Sequence, residues 1–401
     1  MAAARRAKVV AMSSFGDPST CMSVVEAEIP APKPGWLRVR VEAVSVNPKD
    51  CSVVHGEDGL GSLLWMLQGH PVYPGSDLAG TVDAVGDGVT DIKLGQRVAT
   101  YRFWLCGAAP GEGAFGEYAL VPADTAARIP EGLPVQVAAA LPCAFLTALQ
   151  VLRDRIRIHR HPAKRPVVVV YGASGGVGSP CVQIAGLLRG RAEERADGAF
   201  VIAVASERNR RRCLVHLGAS AFVAYDKEDP WAAVSRIVEA ESLDGVHAWI
   251  ECHIPKSGPR FAQARPLLVS ATLDAGESER GREPWMPGKF VSLRPSIPVA
   301  LLTEGQRWLG QAMSSACSCL AARGAAAASG PTPPVTWLEP ANDYLAVQPE
   351  REGLEKLMHW AAKKQIRVDI ASEHKGLEPG LAEAVGAVSS KHTAGKAVVV
   401  L

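Results

Sequence analysis

The sequence predicts an α/β protein with two domains, a partly open β-barrel and a doubly wound parallel sheet. In the first third of the 401 residues, short apolar segments alternate with glycine-containing turns. From about residue 165 onward, apolar strands alternate with helical segments, a pattern typical of parallel sheets with right-handed crossovers. The segment VVVVYGASGGVG (167–178) joins such a strand to a turn that is rich in glycine.

The barrel is predicted from segments in which apolar and polar residues alternate, or from short apolar runs that end in a turn. These strands are predicted at 37–46, 80–89, 97–103 and 117–123. Many short strands separated by turn signals favour a partly open barrel. A helix is predicted over 135–152, and Pro142 is expected to kink it.

The second domain is predicted from continuous apolar strands, which indicate that both faces of the sheet are covered. Strands are predicted at 167–172, 200–206, 221–225, 246–252 and 266–272, and helices at 179–188, 210–218 and 231–240. Residues 317–334 are low in complexity and are expected to form a loop or linker. A helix over 351–366 and a strand over 396–401 follow.

Composition gives no support to nucleic-acid or membrane binding. The chain has 43 basic and 41 acidic residues, a net charge of +2, and 47% hydrophobic residues. No apolar run approaches the roughly 20 residues that span a bilayer, and the start lacks the apolar core of a secretory signal. The nine cysteines are scattered without a CxxC pair, which is typical of a reducing compartment, so we expect a cytoplasmic protein.

The glycine-rich turn is predicted to bind the pyrophosphate of a dinucleotide. Bare backbone allows close approach of the phosphates, and the N–H groups at the start of the next helix favour their negative charge. The alternative is a tight turn without a ligand. The residues assigned to this contact are Gly172, Ala173, Ser174, Gly175, Gly176, Val177 and Gly178.

The end of the second parallel strand favours NADPH over NADH. An NAD site usually has an acidic residue there, whereas this chain has Ser206 followed by Glu207 and a run of arginines up to Arg212. We expect Ser206, Arg208, Asn209 and Arg210 to hold the 2′-phosphate. Alternatively, the arginines lie on an exposed helix start and Glu207 binds the ribose.

Several segments together resemble the medium-chain dehydrogenase/reductase superfamily. They are SVNPKD (45–50), PGSDLAGTVDAVGDGVTDIKLGQRV (74–98), GAFGEYALVP (113–122), AAALP (138–142), the glycine turn, LGASAFVAYD (217–226) and GKAVVVL (395–401). The resemblance implies a GroES-like catalytic domain at 1–155 and 336–401, and a Rossmann domain at 156–335 with a long insert near 301–334.

The resemblance also implies that no zinc is bound. Zinc-dependent members place a cysteine where Asn47 stands and a His-Glu pair where Ser76-Asp77 stands. Their structural zinc needs four closely spaced cysteines, and residues 101–116 contain only Cys106. This points to the zinc-free quinone and enoyl reductases.

Within that branch the chain is similar to fungal trans-acting enoyl reductases that serve highly reducing polyketide synthases. The features behind this similarity are NPKD, the helix with Thr147, the segment IEC (250–252) and the long insert. It implies NADPH-dependent reduction of an α,β-unsaturated acyl thioester carried by the synthase's acyl carrier domain. A monomer is favoured, although many zinc-free relatives are dimers.

The resemblance suggests catalytic roles for three residues, each with a simpler alternative. Asn47 is expected to donate a hydrogen bond from its amide, or only to cap a loop. Lys49 could stabilise an oxyanion or phosphopantetheine, or be merely solvated, and Ser52 stands where some relatives have a lysine. Thr147 is expected to contact the nicotinamide, or only to bond its own helix.

Three further residues are assigned to the cofactor, and one segment to the substrate. Tyr225 is expected near the adenosine phosphate or ribose, unless it is a core tyrosine. Cys252, next to His253, and Lys396 are placed near the cofactor without a nucleophilic role. Residues 301–313 could line an acyl channel, contact a partner or form an ordinary helix.

Two other functions stay open at this point. One is a free-standing NADPH-dependent quinone or enone reductase, which activity on simple quinones would favour. The other is a cofactor-binding protein without redox activity that acts as a partner or folding scaffold. Retention of the glycine turn, the Ser206–Arg212 segment and Thr147 argues against this second alternative.

Overall fold

A computed structural model describes most of both predicted domains. The described residues are 4–57, 71–102, 106–107, 109–161, 163, 165–188, 198–252, 267–268, 289–292, 347–390 and 394–401. The predicted helix at 301–313 and the loop at 317–334 lie outside these ranges, as does most of the predicted strand at 266–272. Within the described residues, no helix combines the length and apolar character that a bilayer crossing requires.

Antiparallel strands form the first domain, as the alternating segments predict. The main sheet has seven strands in the order β15-β16-β3-β5-β6-β9, with β8 paired to β3. They are β3 (Trp36–Val46), β5 (Asp77–Val85), β6 (Arg97–Tyr101), β8 (Tyr118–Pro122), β9 (Ala127–Arg128), β15 (Ile370–Lys375) and β16 (Lys396–Val400). Strand β16, near the end of the chain, therefore pairs with β3, near its beginning.

Two smaller sheets complete the described strands of this domain. Strands β1 (Arg5–Met12) and β2 (Met22–Ile29) form a hairpin, and β4 (Tyr73–Pro74) pairs with β7 (Cys106–Gly107). Close strand contact explains one glycine, since a Cβ on Gly80 would lie 2.0 Å from the Arg40 carbonyl oxygen. At the same place the register of β3 against β5 shifts, which bends the sheet toward barrel closure.

The second sheet is parallel and has five described strands in the order β12-β11-β10-β13-β14. They are β10 (Val167–Tyr171), β11 (Phe200–Ala205), β12 (Ala221–Ala224), β13 (Ala248–Glu251) and β14 (Lys289–Ser292). Every residue of β10, β11 and β13 is buried, as expected for strands covered on both faces. Because the chain winds outward from β10 in both directions, the strand order reverses between β10 and β13, and in folds of this kind ligands bind beyond the carboxyl ends of the strands at such a point.

Eight α-helices are described. They are α1 (Pro18–Cys21), α2 (Pro48–Val54), α3 (Val135–Ala140), α4 (Pro142–Gln150), α5 (Gly178–Leu187), α6 (Pro230–Ala240), α7 (Arg351–Ala362) and α8 (Gly380–Ser389). The helix predicted over 135–152 is thus divided at Leu141, because Pro142 has no N–H and begins a new helix. The helix predicted over 210–218 is instead a wider π-type turn over Arg212–His216.

The strands of the antiparallel sheets come from 5–128 and 370–400, and those of the parallel sheet from 167–292. This arrangement agrees with the predicted α/β fold class, in which a barrel domain is interrupted by a doubly wound domain. The exact domain limits at 155, 156, 335 and 336 stay predictions.

Candidate functional site

The glycine turn connects β10 to α5 at the centre of the parallel sheet. Gly172 has a φ of +81°, and its carbonyl oxygen would lie only 2.1 Å from a Cβ on Gly178. Both glycines are therefore required by the tight packing of the turn. Within the described chain, the backbone N–H groups of Gly176, Val177 and Gly178 donate to no protein acceptor. The turn thus presents free donors at a helix start, as a bound phosphate requires.

Two arginines just after β11, Arg208 and Arg211, make no ion pair with another described residue. The Arg210 guanidinium donates two hydrogen bonds to Glu207, at 2.7 and 2.8 Å, which lowers the pKa of Glu207 below its usual value. Arg208 is exposed and makes no hydrogen bond or ion pair with another described residue. Asn209 Nδ2 donates to Ser206 Oγ at 2.9 Å, leaving the Ser206 hydroxyl proton available for a ligand.

Tyr225 lies immediately after β12 and is 41% exposed. Its ring is stacked on that of Tyr171, at the end of β10, with a centroid distance of 5.8 Å and an interplanar angle of 18°. A core tyrosine would not be so exposed, so the residue offers a flat surface at the carboxyl edge of the sheet.

Asn47 belongs to a buried polar network within the barrel domain. Its Nδ2 donates to Asp77 Oδ2 at 2.9 Å and to Ser76 Oγ at 3.2 Å, while its Oδ1 accepts from the Lys396 ammonium. Its backbone N–H donates to Asp50 Oδ2 at 2.8 Å, which caps the start of α2. Both amide protons of Asn47 are therefore directed to protein acceptors, so the capping contact is present and the catalytic donor role stays a prediction.

The network contains two buried carboxyl groups and one ammonium. Burial raises the pKa of Asp50 to about 7, with a further contribution from the charge of Asp77. Burial also raises the pKa of Asp77, although the Lys396 ammonium opposes this. Lys396 Nζ lies 3.6 Å from Asp77 Oδ2. A buried charge of this kind is tolerated only when it is paired and hydrogen-bonded.

Lys396 links this network to the glycine turn. A Cβ on Gly176 would lie 3.8 Å from Lys396 Cδ, so the side chain passes beside the turn before reaching Asn47. The structure thus places Lys396 beside the turn and against Asn47, and its assignment to the cofactor stays a prediction.

Thr147 lies on α4, and its hydroxyl donates to the Cys143 carbonyl at 2.7 Å. The side chain is 8% exposed. A hydroxyl that donates to its own helix keeps lone pairs for an incoming N–H donor. The helix contact weighed as the simpler alternative is therefore present and leaves the oxygen available as an acceptor.

Lys49 and Cys252 differ in exposure. Lys49 is exposed in the first turn of α2, outside the buried network. Cys252 follows β13, and its thiol is hydrogen-bonded with that of Cys181 on α5. This contact, together with burial, raises the pKa of Cys252 well above its ordinary value, which disfavours a nucleophilic role. His253 lies outside the described residues.

No sequence pattern assigns a function to Ser45, Asp50 or Asp77. Ser45 Oγ donates to Asp77 at 2.9 Å, and the backbone N–H of Cys143 donates to its other oxygen at 2.9 Å. The only available signal for Asp77 was its place where zinc-dependent relatives have a glutamate. Within the described chain, no group of three or more His, Cys, Asp or Glu side chains is arranged to hold a metal ion.

Comparison with known proteins agrees with this architecture. Residues 33–131 match the model of the alcohol dehydrogenase GroES-like domain. A trans-enoyl reductase of Aspergillus terreus is 32% identical over 241 residues, which cover 57% of this chain and 72% of that protein. The chain belongs to the zinc-free branch of the medium-chain dehydrogenase/reductase superfamily.

Other members of the superfamily match over a smaller part of their length. Human quinone oxidoreductase is 31% identical over 213 residues, or 53% of this chain and 56% of that protein. The chain thus spans about half the length of the curated quinone oxidoreductases that it matches.

Solved structures of the superfamily share the fold. The quinone oxidoreductase of Coxiella burnetii has a TM-score of 0.70 at 22% identity and covers 99% of this chain and 100% of that one. The quinone oxidoreductase of Escherichia coli, solved in complex with NADPH, has a TM-score of 0.64 at 19% identity and covers 98% and 100%.

Proposed function

We propose that this protein is an NADPH-dependent enoyl reductase that acts in trans on a polyketide acyl thioester. The observation that carries the proposal is the match to the trans-enoyl reductase of Aspergillus terreus over 72% of that protein. A second trans-enoyl reductase, from Gibberella fujikuroi, is 36% identical over 167 residues. The site geometry supports a dinucleotide bound at the carboxyl edge of the parallel sheet.

The arrangement of donors supports NADPH as the cofactor. The free N–H groups of Gly176, Val177 and Gly178 suit the pyrophosphate. Ser206 and the unpaired Arg208 suit the 2′-phosphate, whereas Arg210 is already neutralised by Glu207. The Escherichia coli neighbour, which was solved with NADPH, supports the same choice.

Bound NADPH would supply hydride to the β-carbon of the thioester, and this chain's residues would orient the two reactants. Thr147 Oγ would accept a hydrogen bond from the nicotinamide amide, since its own proton is directed to Cys143. Donors near the thioester carbonyl would stabilise the enolate oxygen. A donor role for Asn47 stays a prediction, because both of its amide protons are directed to Ser76 and Asp77.

The partner is proposed to be an acyl carrier domain of a polyketide synthase, as the trans-enoyl reductase relatives suggest. Exposed Lys49 lies in the first turn of α2, outside the buried network. Its ammonium would suit the phosphate of a phosphopantetheine arm.

A second candidate is a free-standing quinone or enone reductase. It is favoured by the names of the human and pig relatives, which are quinone oxidoreductases. Since these match over about half of their length, the reductase of carrier-bound thioesters remains the preferred proposal.

NADPH oxidation should be measured with crotonyl- and longer enoyl-pantetheine thioesters, beside a small quinone. We expect thioester turnover with NADPH and much less with NADH. Turnover of the quinone alone would support the second candidate. A protein that binds NADPH but turns over neither substrate would contradict both activities.

A further inference from the structure

The carboxylate of Asp77 joins four separate segments of the chain. It accepts hydrogen bonds from the Ser45 hydroxyl on β3, the Asn47 amide, and the Cys143 backbone N–H on α4, each at 2.9 Å. The Lys396 ammonium on β16 lies 3.6 Å away. Asp77 itself is fully buried at the start of β5.

One of these contacts reaches the helix that carries Thr147. Cys143 is in the first turn of α4, where a carboxylate is favoured by the helix dipole and by the free N–H groups. The Thr147 hydroxyl then donates to the Cys143 carbonyl at 2.7 Å. Two hydrogen bonds and one residue therefore connect Asp77 to the hydroxyl proposed to contact the nicotinamide.

The other contact reaches the glycine turn. Lys396 passes beside Gly176, and its ammonium ends between Asn47 and Asp77. Asp77 is the carboxylate of the network that pairs with this ammonium, at 3.6 Å. Without it, the flexible side chain of Lys396 would be free to turn toward the phosphates of a bound dinucleotide.

We propose that Asp77 is a positioning residue that fixes Lys396 and the first turn of α4 relative to each other, and thereby sets the nicotinamide ring against Thr147. This rests on the proposed function. In zinc-dependent relatives a metal lies near this position, whereas here the ammonium of Lys396 supplies the cation that the carboxylate requires. The residue touches neither cofactor nor substrate and acts through its two partners.

The test compares Asp77→Asn with Asp83→Asn, a change on the same strand. Asp83 pairs with Arg38, whose side chain is 4% exposed, at 2.7 Å, and lies outside the network. Asparagine preserves the size of the side chain in both variants and removes the charge. We expect Asp77→Asn to lower kcat by about tenfold to a hundredfold, as for a misplaced reactant, while NADPH affinity is retained. Asp83→Asn should affect stability and leave kcat unchanged.

The fluorescence of bound NADPH gives a second readout that does not need turnover. Asp77→Asn should alter the emission of the bound nicotinamide, whereas Asp83→Asn should not. A double variant, Asp77→Asn with Lys396→Met, removes both charges, so it avoids an unpaired buried ion and should show the same kcat defect as Asp77→Asn.

The outcomes separate this inference from the proposed function. If the wild-type protein does not bind NADPH, both proposals are overturned. If it binds NADPH, and Asp77→Asn matches Asp83→Asn in kcat and in the emission of the bound cofactor, Asp77 only stabilises the fold. If Asp77→Asn changes the emission while quinone is the only substrate turned over, the positioning role stands and the enoyl reductase activity fails.

Discussion

The carboxyl group of Asp50 makes the stability of this protein depend on pH near neutrality. It is 1% exposed and accepts hydrogen bonds from the Asn47 backbone and from the Ser76 hydroxyl, at 2.8 and 2.9 Å. Burial is the main reason why its pKa rises to about 7, with the neighbouring charge of Asp77 acting in the same direction. The Lys396 ammonium and the hydrogen bonds oppose the shift.

The sign follows from proton binding in the two states. An unfolded aspartate loses its proton near pH 3.9, whereas folded Asp50 keeps it until about pH 7. Between these values the folded state binds one more proton, so the free energy of unfolding falls as the pH rises. Because the folded and unfolded pKa values differ by roughly three, and one pKa unit corresponds to about 1.36 kcal/mol, the free energy of unfolding falls by about 4 kcal/mol in all. About 3 kcal/mol of this decrease falls between roughly pH 5 and 8.

The substitution Asp50→Asn removes this dependence, because an amide does not ionise and still offers an oxygen to the two donors. The stability of the variant relative to wild type should therefore increase by about 3 kcal/mol from roughly pH 5 to pH 8. Urea unfolding followed by tryptophan fluorescence measures this difference, since the chain has nine tryptophans.

A useful control is Asp17→Asn. Asp17 accepts from the hydroxyl and backbone N–H of Ser19, which lowers its pKa, so its contribution has the opposite sign. That variant should lose stability relative to wild type as the pH rises from acid. An Asp50→Asn difference that is equal at pH 5 and pH 8 would refute the reasoning.

Three further predictions concern the cofactor. Gly178→Ala should raise the NADPH KM by about tenfold or more, because the added Cβ would lie 2.1 Å from the Gly172 carbonyl oxygen. The control is Gly186→Ala on the same helix, where an added Cβ meets nothing within 4 Å, so this variant should be stable and active. Arg208→Ala should raise the KM for NADPH about tenfold or more and leave the KM for NADH unchanged, whereas Arg210→Ala should raise the KM for NADPH much less. Equal increases in the two variants would contradict the assignment of Arg208 to the 2′-phosphate. Thr147→Val should lower kcat/KM for NADPH about tenfold, and an unchanged value would limit the hydroxyl to its helix contact.

In the parallel domain, strands β10 to β13 and helices α5 and α6 agree well with the sequence predictions, whereas β14 was not predicted. The apolar run before the glycine turn and the helix after it were placed within one residue, because burial on both faces leaves a continuous pattern. The hairpin of β1 and β2 was missed, since β2 is only partly buried along most of its length and charged residues interrupt both strands. Helix α8 was missed because its small residues give a weak pattern.

The candidate site was predictable only where the signal is local. The glycine turn and the Ser206 segment are each continuous in sequence, so their chemistry can be recognised from spacing alone. The buried network cannot be recognised in this way, because its members are far apart in sequence: Asn47 and Lys396 are 349 positions apart, and Cys143 and Asp77 are 66 apart. No local pattern shows that two aspartates are buried beside one ammonium, since that depends on how β16 pairs with β3.

The composition of this network suggests how the branch manages without the metal ligands of its relatives. An amide and a hydroxyl, at Asn47 and Ser76, stand where zinc-dependent members have cysteine and histidine, and neither is a good zinc ligand. The Asp77 carboxylate remains and still needs a cation, which Lys396 supplies from a strand of the same domain. A tethered ammonium orients its neighbours and neutralises one carboxylate, but it leaves the second, Asp50, to retain its proton near neutral pH. Conjugate reduction needs its reactants fixed more than it needs a strong acid, so a network that mainly holds geometry suits the proposed reaction.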